Sequence, residues 1–485
     1  MKKTISFFLN GTLREIKVKA ETTVLELLRN SLELNGIKEG CGEGDCGACT
    51  VVIGEVRDKK VHYKSAAGCL YLAAKLEGKH VITIEGMGEK EKLHPIQEAI
   101  LKAHATQCGF CTPGVSLSIL ALYLERKNPG RDEFRRYLEG NLCRCTGYVS
   151  IRKVPEFLEE LIVCPVDIRP KYLTETEEKQ LSFIQEDIYT DDGVHGFYSP
   201  VSEANLLDFL KGHPEFTDGN NIRFINGGSD VVVGVKKHGQ HYRLLVDLSR
   251  IETLQKLTFD NKSITLGGGV SLARMIDSVQ GIFPEFSDTV LKMCSEQVRS
   301  IATVAGNIAN ASPVADTVPL LMAVDAILTI NGPRGLRTVP VREFFRGYKK
   351  LAKQADEWIS SITIPLGEYN FIHFEKVSKR KEVDISSVNS AIALKVENGI
   401  IKKAHVASGG VGATTLYMNN TSGFLQGREM KEKTFLEAYE MITEEATPIG
   451  DVRGSAEYRK ALLQNLLMKH YLAYESSQEV DGHEA

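Results

Sequence analysis

Three thiols fall within the stretch Cys41-Gly-Glu-Gly-Asp-Cys46-Gly-Ala-Cys49, and no other feature limits so strongly what this chain can fold into. A segment this rich in glycine has too few side chains to build a hydrophobic core. Glycine reaches positive φ without steric cost, so the loop can turn backbone N–H groups inward around a group carrying negative charge. The spacing C-x4-C-x2-C, completed by a more distant Cys, is that of a thiolate-held two-iron, two-sulfur cluster. Cys69 stands in the right place to be the fourth ligand.

A second set follows, Cys108-x2-Cys111 and Cys143-x-Cys145. A Cys-x-Cys pair on a helix would point to nearly opposite sides. Gly140 and Gly147 flank Cys143 and Cys145, so the pair is placed on a tight turn. Gly109, Thr112, Pro113 and Gly114 mark a matching turn at the other pair. On ligand chemistry alone this set also suits a tetrahedral zinc ion, and both readings stay open at this point. Gly42-Glu-Gly44-Asp-Cys-Gly47 matches the dinucleotide fingerprint G-x-G-x-x-G. It interleaves with three Cys and follows a helical pattern rather than a strand, so it is read as a false match.

Of ten Cys, eight lie between residues 41 and 145; Cys164 and Cys294 read as buried apolar residues. The N-terminus runs straight into an alternating strand pattern without a secretory signal, and no apolar run is long enough to span a membrane. These features predict a reducing, cytoplasmic setting in which the Cys are not disulfides. A net charge of −4 argues against nucleic acid as a partner. Histidines are scattered, with no ligand-spaced pair.

Pattern and turn signals predict an α+β multidomain protein. Residues 1–88 read as a β-grasp domain: strands at 3–9 and 13–19 around Asn10-Gly11, a helix at 24–33 capped by Thr22-Thr23, and strands at Thr50–Ile53 and Val81–Glu85. Residues 89–163 read as a helical domain, with helices at Ile96–Ala105, Val115–Arg126, Asp132–Leu138 and 151–163. Residues 164–194 read as a linker, 195–365 as a glycine-rich α/β domain, and 366–485 as a mixed α+β domain. The last contains the strand Ala391–Val396, helices at Lys433–Thr443 and Ala456–Tyr474, and a frayed polar end.

The α/β region carries three stretches suited to phosphate. Ile225-Asn226-Gly227-Gly228-Ser229-Asp230 follows an apolar strand, and Gly267-Gly268-Gly269 follows another. Residues 298–316 are crowded with small and short polar side chains, including Thr303, Asn307, Asn310 and Ser312. Such backbone can approach a pyrophosphate closely, and Asp316 can accept hydrogen bonds from sugar hydroxyls. For Gly267–Gly269, tight turns and close packing are the competing explanation.

The segments FFLNG, CGEGDCGACTV, QCGFCTPG and GNLCRCTGY resemble the iron–sulfur region of the xanthine dehydrogenase family of molybdenum hydroxylases. FINGGSD, LGGGVSL and VRSIATVAGNIANASPVADTVPL resemble its FAD-binding domain, of the CO dehydrogenase flavoprotein type. The last hundred residues resemble its C-terminal flavoprotein domain. The resemblance implies two 2Fe-2S clusters, held by Cys41, Cys46, Cys49 and Cys69 and by Cys108, Cys111, Cys143 and Cys145. It implies FAD at Ile225–Asp230, Thr303, Asn307, Asn310 and Asp316, with Ile359 and Lys376 at further flavin-contacting places. A Lys376 cation beside the flavin would favour an anionic reduced ring; the alternative is an ordinary surface lysine.

Two departures stand out. Val383 occupies a place where the family often has Asp, and Leu351 one where it has Thr. They leave FAD in place and put NAD as oxidant in question. The resemblance further implies an electron-transfer subunit with no catalytic substrate residues of its own. A separate large subunit would hold molybdopterin and oxidise a purine, in a heterotetramer of two small and two large chains. Electrons would pass through the helical-domain cluster, then the ferredoxin-like cluster, then FAD, to NAD or another acceptor. The alternatives are a subunit of an aldehyde or N-heterocycle hydroxylase, and a stand-alone electron carrier.

Overall fold

The computed structural model describes residues 4–89, 92–126, 128–162, 168–217 and 221–481. They form two compact units. One runs to Glu252 and includes Cys294–Ala302; the other takes Thr253–Met293 and the chain from Thr303 onward.

In the first unit, Asn10 and Gly11 have φ of 48° and 85° and join the antiparallel strands Ile5–Leu9 and Thr12–Ile16, as a two-residue hairpin turn requires. The sheet order is Thr12–Ile16, Ile5–Leu9, His80–Ile82, Thr50–Arg57, Lys60–Ala67. Thr23 and Glu26 form a capping box at the start of the helical turn 24–31. The expected strand Val81–Glu85 is shorter, His80–Ile82, because the chain turns at Ile84–Gly86. The strand Lys60–Ala67 was not anticipated; it pairs along its full length with Thr50–Arg57.

Strand alternation gives this sheet two buried faces. Val51 and Ile53 enter one core together with Cys49 and Cys69. Val52 points the other way, into a core with Ile119 and Leu120. Those two belong to Thr112–Glu125, the central helix of the helical domain, which also contains Pro95–Lys102, Arg131–Leu138 and Val154–Leu161. Residues Gly114–Leu122 are buried all round, as an apolar helix surrounded by protein must be.

The stretch expected to be a linker carries the helix Leu173–Leu181. Its composition is polar, but Leu173, Thr176 and Gln180 are buried, and Gln180 donates to the carbonyls of Gly54 (2.8 Å) and Gly78 (3.0 Å). Residues 163–167, and with them Cys164, lie outside the described residues. Cys294 is half-buried rather than buried.

The α/β portion of the first unit is a sheet ordered Ile188–Asp191, Gly196–Ser199, Leu244–Asp247, Ile222–Ile225, whose last three strands are parallel. Ile225, Val231, Val232 and Leu245 share one hydrophobic core with Cys49 and Cys69. By packing, the first part of the glycine-rich region therefore belongs with the iron–sulfur domains.

The second unit has a five-stranded antiparallel sheet, Leu257–Phe259, Ser263–Gly267, Trp358–Pro365, Ile327–Asn331, Arg337–Pro340. A four-stranded sheet follows, Phe371–Val377, Val388–Glu397, Ile400–Gly409, Leu416–Tyr417. Val388, Ile392, Val406, Phe435, Leu463 and Leu467 lie in its core. The helix expected at Lys433–Thr443 is two, Glu432–Glu437 and Tyr439–Glu445, and the last helix continues from Ala456 to Asp481. Among the described residues, no helix is long and apolar enough to cross a membrane.

Candidate metal centres and cofactor site

The first cysteine set converges. Cys41 and Cys46 come from the glycine loop, Cys49 precedes the strand Thr50–Arg57, and Cys69 follows the strand Lys60–Ala67. Hydrogen bonds from the thiols of Cys46 and Cys69 hold Cys41 far below the usual thiol range, and both donors are pushed up. Cys49 is lowered by the thiol of Cys69. Backbone N–H groups of Glu43 (3.4 Å) and Asp45 (3.2 Å) donate to Cys41 Sγ, and that of Cys41 donates to Cys46 Sγ (3.3 Å). The N–H groups thus face sulfur, as the glycine content predicted. A Cβ on Gly40 would lie 2.8 Å from Cys46 Sγ, so the cradle leaves no room for a side chain.

The second set forms two thiol pairs. Cys145 donates to Cys108 and is raised, whereas Cys108 is lowered, first by the Phe110 backbone and then by Cys145. Burial, and then the pairing with Cys143, push Cys111 up to about 12. Cys143 Sγ lies 3.1 Å from Thr146 Oγ1. A zinc tetrahedron with Zn–S of about 2.3 Å brings its sulfurs within roughly 3.8 Å of one another. Among the described residues, the group of three His, Cys, Asp or Glu ligand atoms lying within 4.8 Å of one another is Glu21, His195 and His241, with no cysteine in it. Both thiol sets are therefore wider than one zinc ion needs. Two pairs of thiols suit two metal ions, and all-thiolate donors with N–H groups aimed at sulfur suit an iron–sulfur cluster.

The two sets are tied together through the residues preceding Cys143. The N–H of Leu142 donates to the Cys46 carbonyl (3.0 Å). Asn141 Nδ2 donates to the Gly47 carbonyl (3.2 Å), while its Oδ1 accepts from Ser118 Oγ (2.8 Å) and Gln297 Nε2 (2.9 Å).

In the first unit the strand Ile222–Ile225 leads through Asn226-Gly227-Gly228 into the helix Ser229–His238, with Asp230 in its first turn. Gly228 has φ of 75°, and a Cβ on Gly227 would lie 2.2 Å from the Ile301 carbonyl. This strand–turn–helix places backbone N–H groups at a helix N-terminus, which suits a phosphate. Lys237, on the same helix, has its ammonium 3.0 Å from where a Gly42 Cβ would sit, beside the Cys41 loop.

In the second unit Thr303 caps the helix Val304–Asn310, its hydroxyl accepting from the Gly306 N–H at 3.0 Å. Asn307 Oδ1 accepts from Thr317 Oγ1 (2.7 Å), and Lys349 Nζ donates to both oxygens of Asn310 (2.6 and 3.0 Å). Asp316 is buried and already engaged. Its Oδ2 accepts from Lys376 Nζ at 2.7 Å, and its Oδ1 accepts from Ser386 Oγ (2.5 Å) and Asn389 Nδ2 (2.6 Å). Lys376 is a buried cation whose charge Asp316 matches, so neither a surface lysine nor an unpaired cation describes it. Ile359 is buried in the strand Trp358–Pro365. Gly267, Gly268 and Gly269 give their N–H groups to Lys256, Ser360 and Leu254, and a Cβ on Gly268 would lie 2.1 Å from the Ile359 carbonyl. Close packing accounts for that triplet.

Val383 sits at φ 53°, a conformation that branched side chains adopt only under strain. Val383→Asn is expected to stabilise the protein by about 1 kcal/mol, because Asn tolerates the left-handed region. A rise in thermal midpoint checks this.

Sequence spacing gave no hint of the Glu21, His195 and His241 group, since its members come from three separate segments. Glu21 and His241 approach to 3.0 Å, a hydrogen bond between a half-buried carboxylate and an exposed ring.

Four family models match successive parts of the chain. They are a 2Fe-2S iron-sulfur cluster binding domain (residues 7–73) and a [2Fe-2S] binding domain (83–155). The others are the FAD binding domain in molybdopterin dehydrogenase (192–367) and the CO dehydrogenase flavoprotein C-terminal domain (373–474). The chain is 29% identical to a xanthine dehydrogenase of Oryza sativa subsp. japonica, over 98% of this chain and 40% of that protein. It is 30% identical to a human aldehyde oxidase, over 96% of this chain and 39% of that protein. It thus spans about two fifths of the length of these relatives. A Cu,Mo-CO dehydrogenase structure matches with a TM-score of 0.52 and 25% identity, over 56% of this chain and 94% of that one. Quinoline 2-oxidoreductase from Pseudomonas putida 86 matches in fold, with a TM-score of 0.52, 23% identity, and coverage of 57% of this chain and 94% of that one.

Two iron–sulfur domains followed by a flavin domain define an iron–sulfur flavoprotein of the oxidoreductase class. With the molybdopterin-dehydrogenase type of flavin domain and the xanthine dehydrogenase and aldehyde oxidase relatives, the chain is similar to the iron–sulfur/FAD portion of molybdenum hydroxylases.

Proposed function

We propose that the chain is the electron-transfer subunit of a xanthine dehydrogenase-like enzyme whose partner holds molybdopterin and oxidises a purine. One 2Fe-2S cluster is held by Cys41, Cys46, Cys49 and Cys69, the other by Cys108, Cys111, Cys143 and Cys145. FAD is held by Ile225–Asp230, Thr303, Asn307, Asn310 and Asp316, with Ile359 and Lys376 in supporting places. Bound, these groups supply one-electron relay and a two-electron exchange with NAD or another acceptor. The chain's own residues join the two thiol sets and face N–H groups to sulfur.

The observation that carries this reading is the shared packing. The core of Cys49 and Cys69 includes Ile225 and Val231 beside the phosphate-type turn, and Leu142 and Asn141 join the two thiol sets. A relay needs such fixed, short separations. Xanthine dehydrogenases and aldehyde oxidases match at nearly the same identity, so an aldehyde-oxidising partner is the second reading.

Protein purified from its native host should contain about four irons and one FAD per chain, with molybdenum in a copurifying larger chain. Two irons or fewer in fully loaded protein would sink the two-cluster assignment. Electron release from hypoxanthine or xanthine but not from aldehydes supports the purine reading, and the reverse supports the second. Comparing NAD, oxygen and dye as oxidants identifies the acceptor.

A further inference from the structure

Lys75 lies on the short turn Ala73–Leu76, six residues beyond Cys69, and its side chain is only 3% exposed. Its ammonium donates to the carbonyl of Asn226 and lies 3.4 Å from that of Gly227. It also lies 3.6 Å from Asp247 Oδ1 and 5.2 Å from the centroid of the Tyr71 ring. Asp247 is fully buried and held in turn by Ser199 Oγ (3.1 Å) and Ser249 Oγ (2.9 Å). Burial lowers the Lys75 pKa to about 8 while Asp247 pulls it up, so the group is still charged at neutral pH. A chain does not bury an ammonium against two main-chain carbonyls without structural consequence. In a planar trans peptide the C=O and N–H point in opposite directions. Carbonyls 226 and 227 drawn toward Lys75 therefore turn the N–H groups of Gly227 and Gly228 away from it.

We propose that Lys75 is a positioning residue by which the iron–sulfur domain orients the Asn226–Gly228 turn to bind the diphosphate of the flavin nucleotide. This rests on the assignment of that turn to FAD. Flavin binding would thereby depend on a residue anchored in the same core as Cys69, and an iron–sulfur domain that has not folded would leave the turn unaligned.

The test uses the full chain, stripped of flavin and titrated with FAD, with iron counted in the same samples. Lys75→Met is expected to weaken FAD binding at least tenfold and to change the visible circular dichroism of the bound flavin, with iron unchanged. Because Lys75→Met strands the buried Asp247 carboxylate, the double variant Lys75→Met/Asp247→Asn is measured as well; it removes both charges, and its iron content and far-ultraviolet circular dichroism report its fold. Wild-type FAD affinity in the folded double variant overturns the proposal. Loss of iron in parallel with FAD also overturns it, since that marks general unfolding. If the wild-type chain itself fails to take up FAD while holding its iron, the flavin assignment fails first, and the role of Lys75 with it.

Discussion

Replacing Lys376 with Met is expected to destabilise the unit that holds it by about 3–5 kcal/mol, the usual cost of breaking one side of a buried ion pair. Lys376 and Asp316 are 2% and 6% exposed and meet at 2.7 Å. The ammonium's other bonds go to the carbonyls of Asp384 (2.7 Å) and Lys292 (3.2 Å), so its three donors meet three acceptors. Asp316 stands at the N-terminus of the helix Thr317–Ala323, Lys376 on the strand Phe371–Val377, and Asn389 on the strand Val388–Glu397. The pair thus joins three elements and a loop. Without the lysine a buried carboxylate remains, with two neutral donors to satisfy it. Asp316→Asn should cost a similar amount, because it strands the Lys376 ammonium and turns an amide N–H toward one of the donors around it. The double change Lys376→Met/Asp316→Asn should cost less than the sum of the singles, because it strands no charge. Hydrogen exchange across 303–481 is the suitable measurement, since a chain of two compact units need not unfold in one step. A loss below 1 kcal/mol in Lys376→Met would show that water reaches the pair.

The same pair shows where sequence reading ran out. The close spacings at turns within each cysteine set were legible because local spacing survives folding, whereas Cys69 and the joining of Cys108 and Cys111 to Cys143 and Cys145 are long-range. The strand at Thr50–Ile53 was legible from its apolar, β-branched run, but Val51, Val52 and Ile53 give no hint of which face each one takes. Asp316 and Lys376 were singled out individually, one as an acceptor for hydroxyls and one as a cation for a flavin. Sixty residues separate them, and no pattern announces that each is the other's partner. Lys75 was invisible because Ala-Ala-Lys on a short turn carries no periodic signal; its meaning comes from carbonyls some 150 residues away. The helix Leu173–Leu181 reads as a linker in sequence because its buried face includes Thr176 and Gln180 rather than an apolar stripe. The glycines divide likewise. Those beside Cys46 serve the thiol loop, as read, whereas the 267–269 triplet serves backbone packing, which composition alone cannot distinguish from phosphate binding.

Gly47→Ala is the second large effect expected, and it tests how the two thiol sets are joined. Gly47 lies between Cys46 and Cys49 with φ of 66°. A Cβ there would sit 2.4 Å from the Gly140 carbonyl and 2.6 Å from Asn141 Nδ2. Neither obstacle is a freely moving side-chain end: one is backbone, and the other is an amide held by the Gly47 carbonyl itself. The Gly47 carbonyl also packs closely on Gly114, where a Cβ would meet it at 2.2 Å, so the loop is tightly seated. The left-handed backbone costs an alanine about 1–2 kcal/mol. Overpacking adds about 1–3 kcal/mol. Relief requires the loop to part from the Gly140–Leu142 segment, which breaks the Leu142 to Cys46 hydrogen bond and shifts Cys46 and Cys143 together. The expected result is loss of iron from both sites and weaker magnetic coupling between whatever clusters remain, read by metal analysis and electron paramagnetic resonance. Gly212→Ala serves as the control, since a Cβ there meets nothing within 4 Å and should leave iron unchanged. If Gly47→Ala keeps all its iron and its coupling, the junction is slacker than its distances say, and the two iron–sulfur domains are not held in register by this contact.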